Sequence, residues 1–331
     1  MKTFGIFCGG YSSEFQISMK SATTIQKNFP KDWNTVKIIV NKGDWNVELS
    51  TDTEFGEMYF LVSLNRNNMT FIIDGVETKI DAALIYTHGD PGENGKIGAL
   101  LDINNIPYLN SSVLSSALSF DKWFCNQFLS SFGINVAKSI LITDKSELDI
   151  ESIKNELGFP VIVKPTDSGS SFGVSKVNSE DKLEKAVDVA FIEGKSVVIE
   201  EFLIGIEVTC GVYRTIDGLV TLPLTEIVSE NEILDYEAKY LGKSTDYTPA
   251  RISDELTQII QQESKKIYQL LKLKSIVRID FMLCETGPYV IEINTTPGFG
   301  RITSFVPAML KHANIGLDKF WSDIIEAELK I

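Results

Sequence analysis

The chain has 331 residues, with 31 Lys+Arg against 45 Asp+Glu, a formal net charge of −14. An acid surplus this large argues against nucleic acid or an anionic membrane as partner, although an acidic chain can still hold a local anion pocket. With 44% hydrophobic and 23% charged residues it is globular, and long enough for two or three domains.

Residues 3–8 read as a short apolar strand running into Gly9-Gly10, and residues 13–28 as a helix. A strand, a glycine turn and a helix open parallel α/β sheets and put the turn at the sheet's carboxyl edge. The pattern then predicts a strand over 35–40, hairpins within 44–81, a buried strand over 82–87, the loop HGDPGENG and a helix over 96–103. Further helices are expected over 121–131 and 146–157, the second ended by Gly158 and kept from continuing by Pro160. The strand VIVK, a polar Gly/Ser loop and a strand over 174–177 follow, with Ser179 expected to cap the next helix. Strands over 196–202 and 207–213 precede a long polar connection, 229–250, which its length marks as a lid and which has too many aromatics for disorder. A helix with Leu256, Ile259, Ile260, Ile267, Leu270 and Leu271 at helical spacing leads to two strands, 275–283 and 288–294.

Cys8, Cys125, Cys210 and Cys284 are far apart and form no C-x-x-C pair, so the expectation is four small buried hydrophobes in a reducing compartment. The apolar stretch at the N-terminus is too short for a signal-peptide core, and no apolar run approaches the ~18 residues of a membrane span. A cytoplasmic location is expected.

The last two strands carry the most chemistry. Alternation puts Ile276, Arg278, Asp280 and Met282 of SIVRIDFML on one face and the apolar Val277, Ile279 and Phe281 on the other. In YVIEIN, Glu292 and Asn294 share a face opposite Ile291 and Ile293. With apolar faces matched, Asp280, Glu292 and Asn294 converge, as a hard cation such as Mg²⁺ requires, or as the solvated side of a ribbon would. Arg278 beside them tips the balance toward a site where phosphates collect charge. The loop Gly169-Ser170-Ser171-Phe172-Gly173, shortly after Lys164, is rich in donors that can wrap a triphosphate, although neither the P-loop nor the Rossmann spacing is present. Of the two histidines, His88 sits at a strand's carboxyl end, where sites collect, and His312 on a surface helix. No nucleophile elbow supports acyl-enzyme hydrolysis.

In this order, CGGYSSEFQIS, HGDPGENG, SALSFDK, VIVKPTDSGSSFGVSKV, IEEFL with Glu207, DYEAKY, RIDFML and EINTTPGF resemble the ATP-grasp enzymes and, within them, the D-alanine–D-alanine ligases of bacterial cell-wall synthesis. The resemblance spans nearly the whole chain. It implies an α/β (α+β) multidomain fold. An N-terminal parallel-sheet α/β substrate domain over 1–118 would precede a two-part ATP-grasp module, with a central subdomain over 119–198 and a C-terminal one over 199–331.

The resemblance also implies roles. Lys122 and Lys164 would hold the phosphates of ATP, with Ser170 and Ser171 of the glycine-rich loop close by. Glu200, Glu201, Phe202 and Leu203 would form the hinge that reads adenine, Glu207 would reach the ribose, and Lys239 of the lid the γ-phosphate. Asp280, Glu292 and Asn294 match the ligands of Mg²⁺ (or Mn²⁺), two ions in all. Glu14 matches the carboxylate that holds the first alanine's ammonium, with His88 beside it and Ser170 and Tyr240 linking the lid to it. Arg278 and the backbone N–H of Gly298 would stabilise an oxyanion, and Ser304 would hold the second substrate's carboxylate. The small-molecule substrates would be ATP and D-alanine, and the assembly a homodimer. One stretch departs from the pattern: Phe299-Gly300-Arg301-Ile302-Thr303 is a residue longer than usual, and Arg301 is unexpected there. A ligase joining other amino acids, or a non-catalytic ATP-binding protein, remain the alternatives.

Overall fold

The computed structural model describes residues 2–53, 56–229, 244–300 and 304–329. In chain order the elements are β1 (Thr3–Gly9), α1 (Phe15–Lys27), β2 (Asn34–Val40), β3 (Trp45–Thr53), β4 (Gly56–Ser63), β5 (Thr70–Ile73), β6 (Val76–Lys79), β7 (Ala82–Ile85), α2 (Lys96–Ile103), β8 (Tyr108–Leu109), α3 (Val113–Phe120) and α4 (Lys122–Ser130). There follow β9 (Ser139–Ile142), α5 (Ile150–Glu156), β10 (Val161–Pro165), β11 (Ser175–Val177), α6 (Leu183–Glu193), β12 (Val197–Glu201), β13 (Ile206–Thr215), β14 (Gly218–Thr221) and β15 (Thr225–Ser229). The last group is β16 (Ser244–Tyr247), α7 (Asp254–Leu270), β17 (Ile276–Cys284), β18 (Gly287–Asn294), α8 (Phe305–His312) and α9 (Leu317–Glu328).

Three main sheets result. The first runs β4-β3-β2-β1-β7-β8, parallel from β2 to β8 and extended by the antiparallel β3–β4 hairpin. The second, β11-β10-β12-β9, is antiparallel and packs on α5 and α6. The third, β16-β15-β13-β17-β18 with β14 beside β13, is antiparallel and packs on α7.

Some local expectations are corrected. The helix expected over 146–157 is split into a 3₁₀ turn, Lys145–Glu147, and α5, because Asp144 and Asp149 each cap a new start by accepting from a backbone N–H. Ser179 precedes a 3₁₀ turn, Glu180–Lys182, and makes no side-chain cap; its hydroxyl donates to Asp181 instead. The end of the 229–250 connection is β16, the edge strand of the third sheet, because its four residues pair with β15. Cys8, Cys125 and Cys210 are buried and burial pushes each thiol up to about 12, whereas Cys284 is only half-buried. Among the described residues no helix is long and apolar enough to cross a membrane.

One core joins distant parts of the chain. Phe4, Ile25, Phe29 and Tyr86 of the first sheet's layer meet Tyr213, Phe299, Phe320 and Trp321 in a single cluster. Trp321 lies 6.0 Å from Phe29 and 5.5 Å from Phe299, ring centre to ring centre. Aromatic pairs at such spacing add to their burial energy. Polar ties run beside them: the Tyr86 hydroxyl donates to the carbonyl of Pro297 (2.6 Å), and the Phe299 N–H to Ser21 Oγ (3.1 Å). Removing the Trp321 ring would leave a cavity that this rigid surround cannot fill. Trp321→Ala is expected to cost about 3–5 kcal/mol, read as a lowered urea midpoint with an unchanged slope.

Candidate active site

Two cavities share a wall. One, of about 620 Å³, is lined by Ile162 and Lys164 of β10, Glu200 to Glu207 at the β12–β13 hinge, Glu226 to Ser229 of β15, and Met282 and Ile291. The other, of about 520 Å³, is lined by Glu14, His88, Glu93, Ser170, Arg278, Asn294, Gly298 and Ser304. Lys122, Ser168, Ile227, Asp280 and Glu292 line both.

In the larger cavity the β10–β12 ladder places Lys164 and Glu200 diagonally across two strands, and Lys164 Nζ meets Glu200 Oε2 at 2.7 Å with both side chains buried. Glu200 Oε1 is buried with no hydrogen-bond partner, an unsatisfied acceptor on a cavity wall that suits a ligand N–H. Glu201 turns partly to structure, accepting from the Lys138 N–H at 2.9 Å. Phe202 carries the Lys176 ammonium 4.0 Å over its ring, and Leu203 and Glu207 line the cavity beyond. Lys122 opens α4, which Asp121 caps. Its N–H donates to Thr166 O (2.9 Å) and its ammonium to Ser168 O, so the charge is held at the shared wall 3.8 Å from Glu292.

The β17–β18 ladder bears out the face argument: Arg278 lies opposite Asn294, and Asp280 opposite Glu292. A bulge between Asp280 and Phe281 shifts the register, so Phe281 pairs with Val290. This corrects the expectation for Ile291, which lines the larger cavity and stays out of the core, whereas Val290 and Ile293 are core residues that also reach the cavity walls. Asp280 is buried and accepts from Arg278 Nε (2.8 Å) and Nη2 (2.7 Å), from Asn294 Nδ2 (3.1 Å) and from Thr209 Oγ1. Among the described residues no group of three or more His, Cys, Asp or Glu could hold a metal ion. The cluster here is two carboxylates and an amide facing the cavities' junction. That donor set fits Mg²⁺, which takes one or two carboxylates and completes its shell with phosphate oxygens and water.

In the smaller cavity, Glu14 immediately precedes α1 but does not cap it; its buried carboxylate instead accepts from Ser170 Oγ. Ser170 and Ser171 both have left-handed backbone, φ 53° and 58°, a conformation held only where surroundings over-determine it. A Cβ at Gly169 would lie 2.1 Å from Glu14 Oε2, so any side chain there would displace the Glu14 carboxylate. His88 is buried with Nε2 unpartnered. The Arg278 guanidinium, fixed by its fork to Asp280, lies 5.2 Å over the Phe305 ring, and Gly298 and Ser304 line the same cavity.

Glu93, in the loop HGDPGENG, is a cavity residue beyond those expected from the sequence. It lines the smaller cavity, accepts from the Gly89 N–H at 2.8 Å, and burial pushes its carboxyl up, with His88 opposing and Glu14 adding to the rise. Its signal was its place in a glycine-rich loop at a strand's end. Lys239, Tyr240 and Arg301 lie outside the described residues.

Residues 3–111 match the family model described as D-ala D-ala ligase N-terminus, and residues 128–326 the one described as D-ala D-ala ligase C-terminus. The D-alanine--D-alanine ligase of Azobacteroides pseudotrichonymphae is 42% identical over 331 residues, covering 99% of this chain and 100% of that protein. Among solved structures, the D-Ala:D-Ser ligase VanG of Enterococcus faecalis superposes with a TM-score of 0.85 at 29% identity, over 98% of both chains. The D-alanyl-alanine synthetase A of Vibrio cholerae does so at 0.85 and 28%, over 98% of this chain and 97% of that one. A shared wall of cations and oxygen donors between two cavities is thus found in a chain matched along both halves, and the chain belongs to the D-alanine–D-alanine ligase family.

Proposed function

We propose that the chain joins two D-alanines at the expense of ATP, for peptidoglycan precursor synthesis. The observation that carries this reading is the wall that both cavities share, since Lys122, Asp280 and Glu292 line both and could act on a nucleotide in one and an amino acid in the other. ATP occupies the larger cavity, its adenine at the hinge from Glu200 to Leu203 with the exocyclic amine donating to Glu200 Oε1. Glu207 takes the ribose, and Lys122 and Lys164 the phosphates. In the smaller cavity Glu14, oriented by Ser170, holds the first D-alanine's ammonium, with His88 alongside.

Held so, the first D-alanine's carboxylate attacks the γ-phosphorus, forming an acylphosphate and releasing ADP. Asp280, Glu292 and Asn294 would hold Mg²⁺, which when bound neutralises charge on the transferring phosphoryl group. The protein's own contribution is positioning and fixed charge. The second D-alanine's amine then attacks the acyl carbon, and phosphate leaves. Arg278, its plane set by Asp280, and the Gly298 N–H stabilise the oxyanion that develops. Ser304 takes the second carboxylate. The homodimer and the cytoplasmic location that the family resemblance implies complete the reading.

Purified protein with ATP, Mg²⁺ and D-alanine is expected to release phosphate, to stop on chelation of the metal and to resume when Mg²⁺ is restored. Silence with D-alanine but turnover with D-serine, D-lactate or L-amino acids as second substrate would reassign the smaller cavity. Glu14→Gln is expected to raise the KM for the first D-alanine by roughly tenfold or more, the scale of one lost charge-assisted bond, with ATP binding nearly unchanged. Isothermal titration with ATP, beside steady-state kinetics in D-alanine, checks this; equal losses in both would contradict the assignment.

A further inference from the structure

The strand that walls the nucleotide cavity beside Glu207 is held in an unusual way. β15 contributes Glu226, Ile227, Val228 and Ser229 to that wall, and its outer neighbour β16 is a four-residue edge strand. So short an edge strand is weakly held by its ladder alone. Arg251, three residues past the Thr248 that follows β16, closes back on the pair. Its backbone N–H (3.0 Å), Nε (2.9 Å) and Nη2 (2.7 Å) all donate to the Glu226 carboxylate. Its guanidinium carbon lies 3.6 Å from the centre of the Tyr247 ring. Glu226 and Tyr247 are directly opposite one another in the β15–β16 ladder, so one side chain grips both halves of a cross-strand pair. Two further ties, Thr225 Oγ1 to Thr248 Oγ1 at 2.6 Å and the Ala250 N–H to Leu224 O at 2.8 Å, fix the turn that delivers Arg251.

The carboxylate at the centre is buried, 6% exposed, and the hydrogen bonds from Arg251 hold its pKa below the ordinary carboxylate range. A buried carboxylate deprived of its partner would have to reorient or take up a proton, and the wall would move with it. Arg251 itself lines the nucleotide cavity, yet Nε and Nη2 are committed to Glu226. It acts on the cavity through the wall.

We infer that Arg251 is a positioning residue for ATP, holding β15 against β16 so that the wall from Glu226 to Ser229 keeps the shape the nucleotide needs. This rests on the larger cavity being the ATP site. Lysine keeps the charge but cannot supply the planar fork or the stack, so charge alone would not substitute.

The test is steady-state kinetics on Arg251→Met, Arg251→Lys and, as a control for the site, Lys164→Ala, with thermal melts of each. Arg251→Met is expected to raise the KM for ATP by about tenfold, the equivalent of roughly 1.4 kcal/mol, with kcat within about twofold and the KM for D-alanine unchanged. Arg251→Lys is expected to behave alike with a smaller rise. A merely structural tie would instead lower the melting temperature and the active fraction, reducing kcat with the KM for ATP intact, and that result would overturn the inference. If Arg251→Met gives no cooperative melt, Arg251→Lys decides on the same readout. Lys164→Ala with an unchanged KM for ATP would sink the reading of the cavity instead, so the two failures are separable.

Discussion

The antiparallel ladder between β17 and β18 is the constraint on which the rest of the site depends. Its register sets Arg278 opposite Asn294 and Asp280 opposite Glu292, and hydrogen bonds to Asp280 from Arg278, Asn294 and Thr209 then leave little freedom to any of them. A slip of one residue would turn all of these toward the core and bring Val277 and Ile279 out, which the apolar packing against α7 forbids. The hydrophobic effect thus chooses the register, and the register places the charges. The bulge adds a second consequence by turning Ile291 into the larger cavity beside Glu292.

Around this ladder the molecule brings together charges that would repel or be unsatisfied elsewhere. Lys122 and Lys164 are each held near a carboxylate, Glu292 and Glu200, so the cavity walls carry paired charge and not bare cations. Glu14 and Ser170 meet likewise in the smaller cavity, where a left-handed Ser170 brings the loop after β10 onto a carboxylate from the segment between β1 and α1.

The aromatic cluster of Phe29, Tyr86, Phe299 and Trp321 supplies the remaining rigidity. Through it the first sheet, which carries Glu14 and His88 on its loops, packs against helices that follow β18. Phe299 anchors in this core one residue after Gly298, so the backbone of Gly298 on the smaller cavity's wall is held by packing.

Much of this was legible in the residues alone. Period-two alternation in RIDF and EIN is a local property, and it sufficed to put Asp280, Glu292 and Asn294 on one side of a ribbon. Turn glycines and apolar runs located most strands and helices for the same reason. The residues also carried the eight-part resemblance, since each stretch pairs a backbone need with a side-chain need. What local pattern could not decide was anything set by contacts between distant segments. The bulge that redirects Ile291, the β15–β16 edge gripped by Arg251, the split of α5 from its 3₁₀ turn, and the meeting of Glu14 with Ser170 across 156 positions all depend on tertiary neighbours. Sequence determined which side chains share a face. Only the packing of three sheets against one another determined which faces share a cavity, because loop closure and core packing act on the whole chain at once.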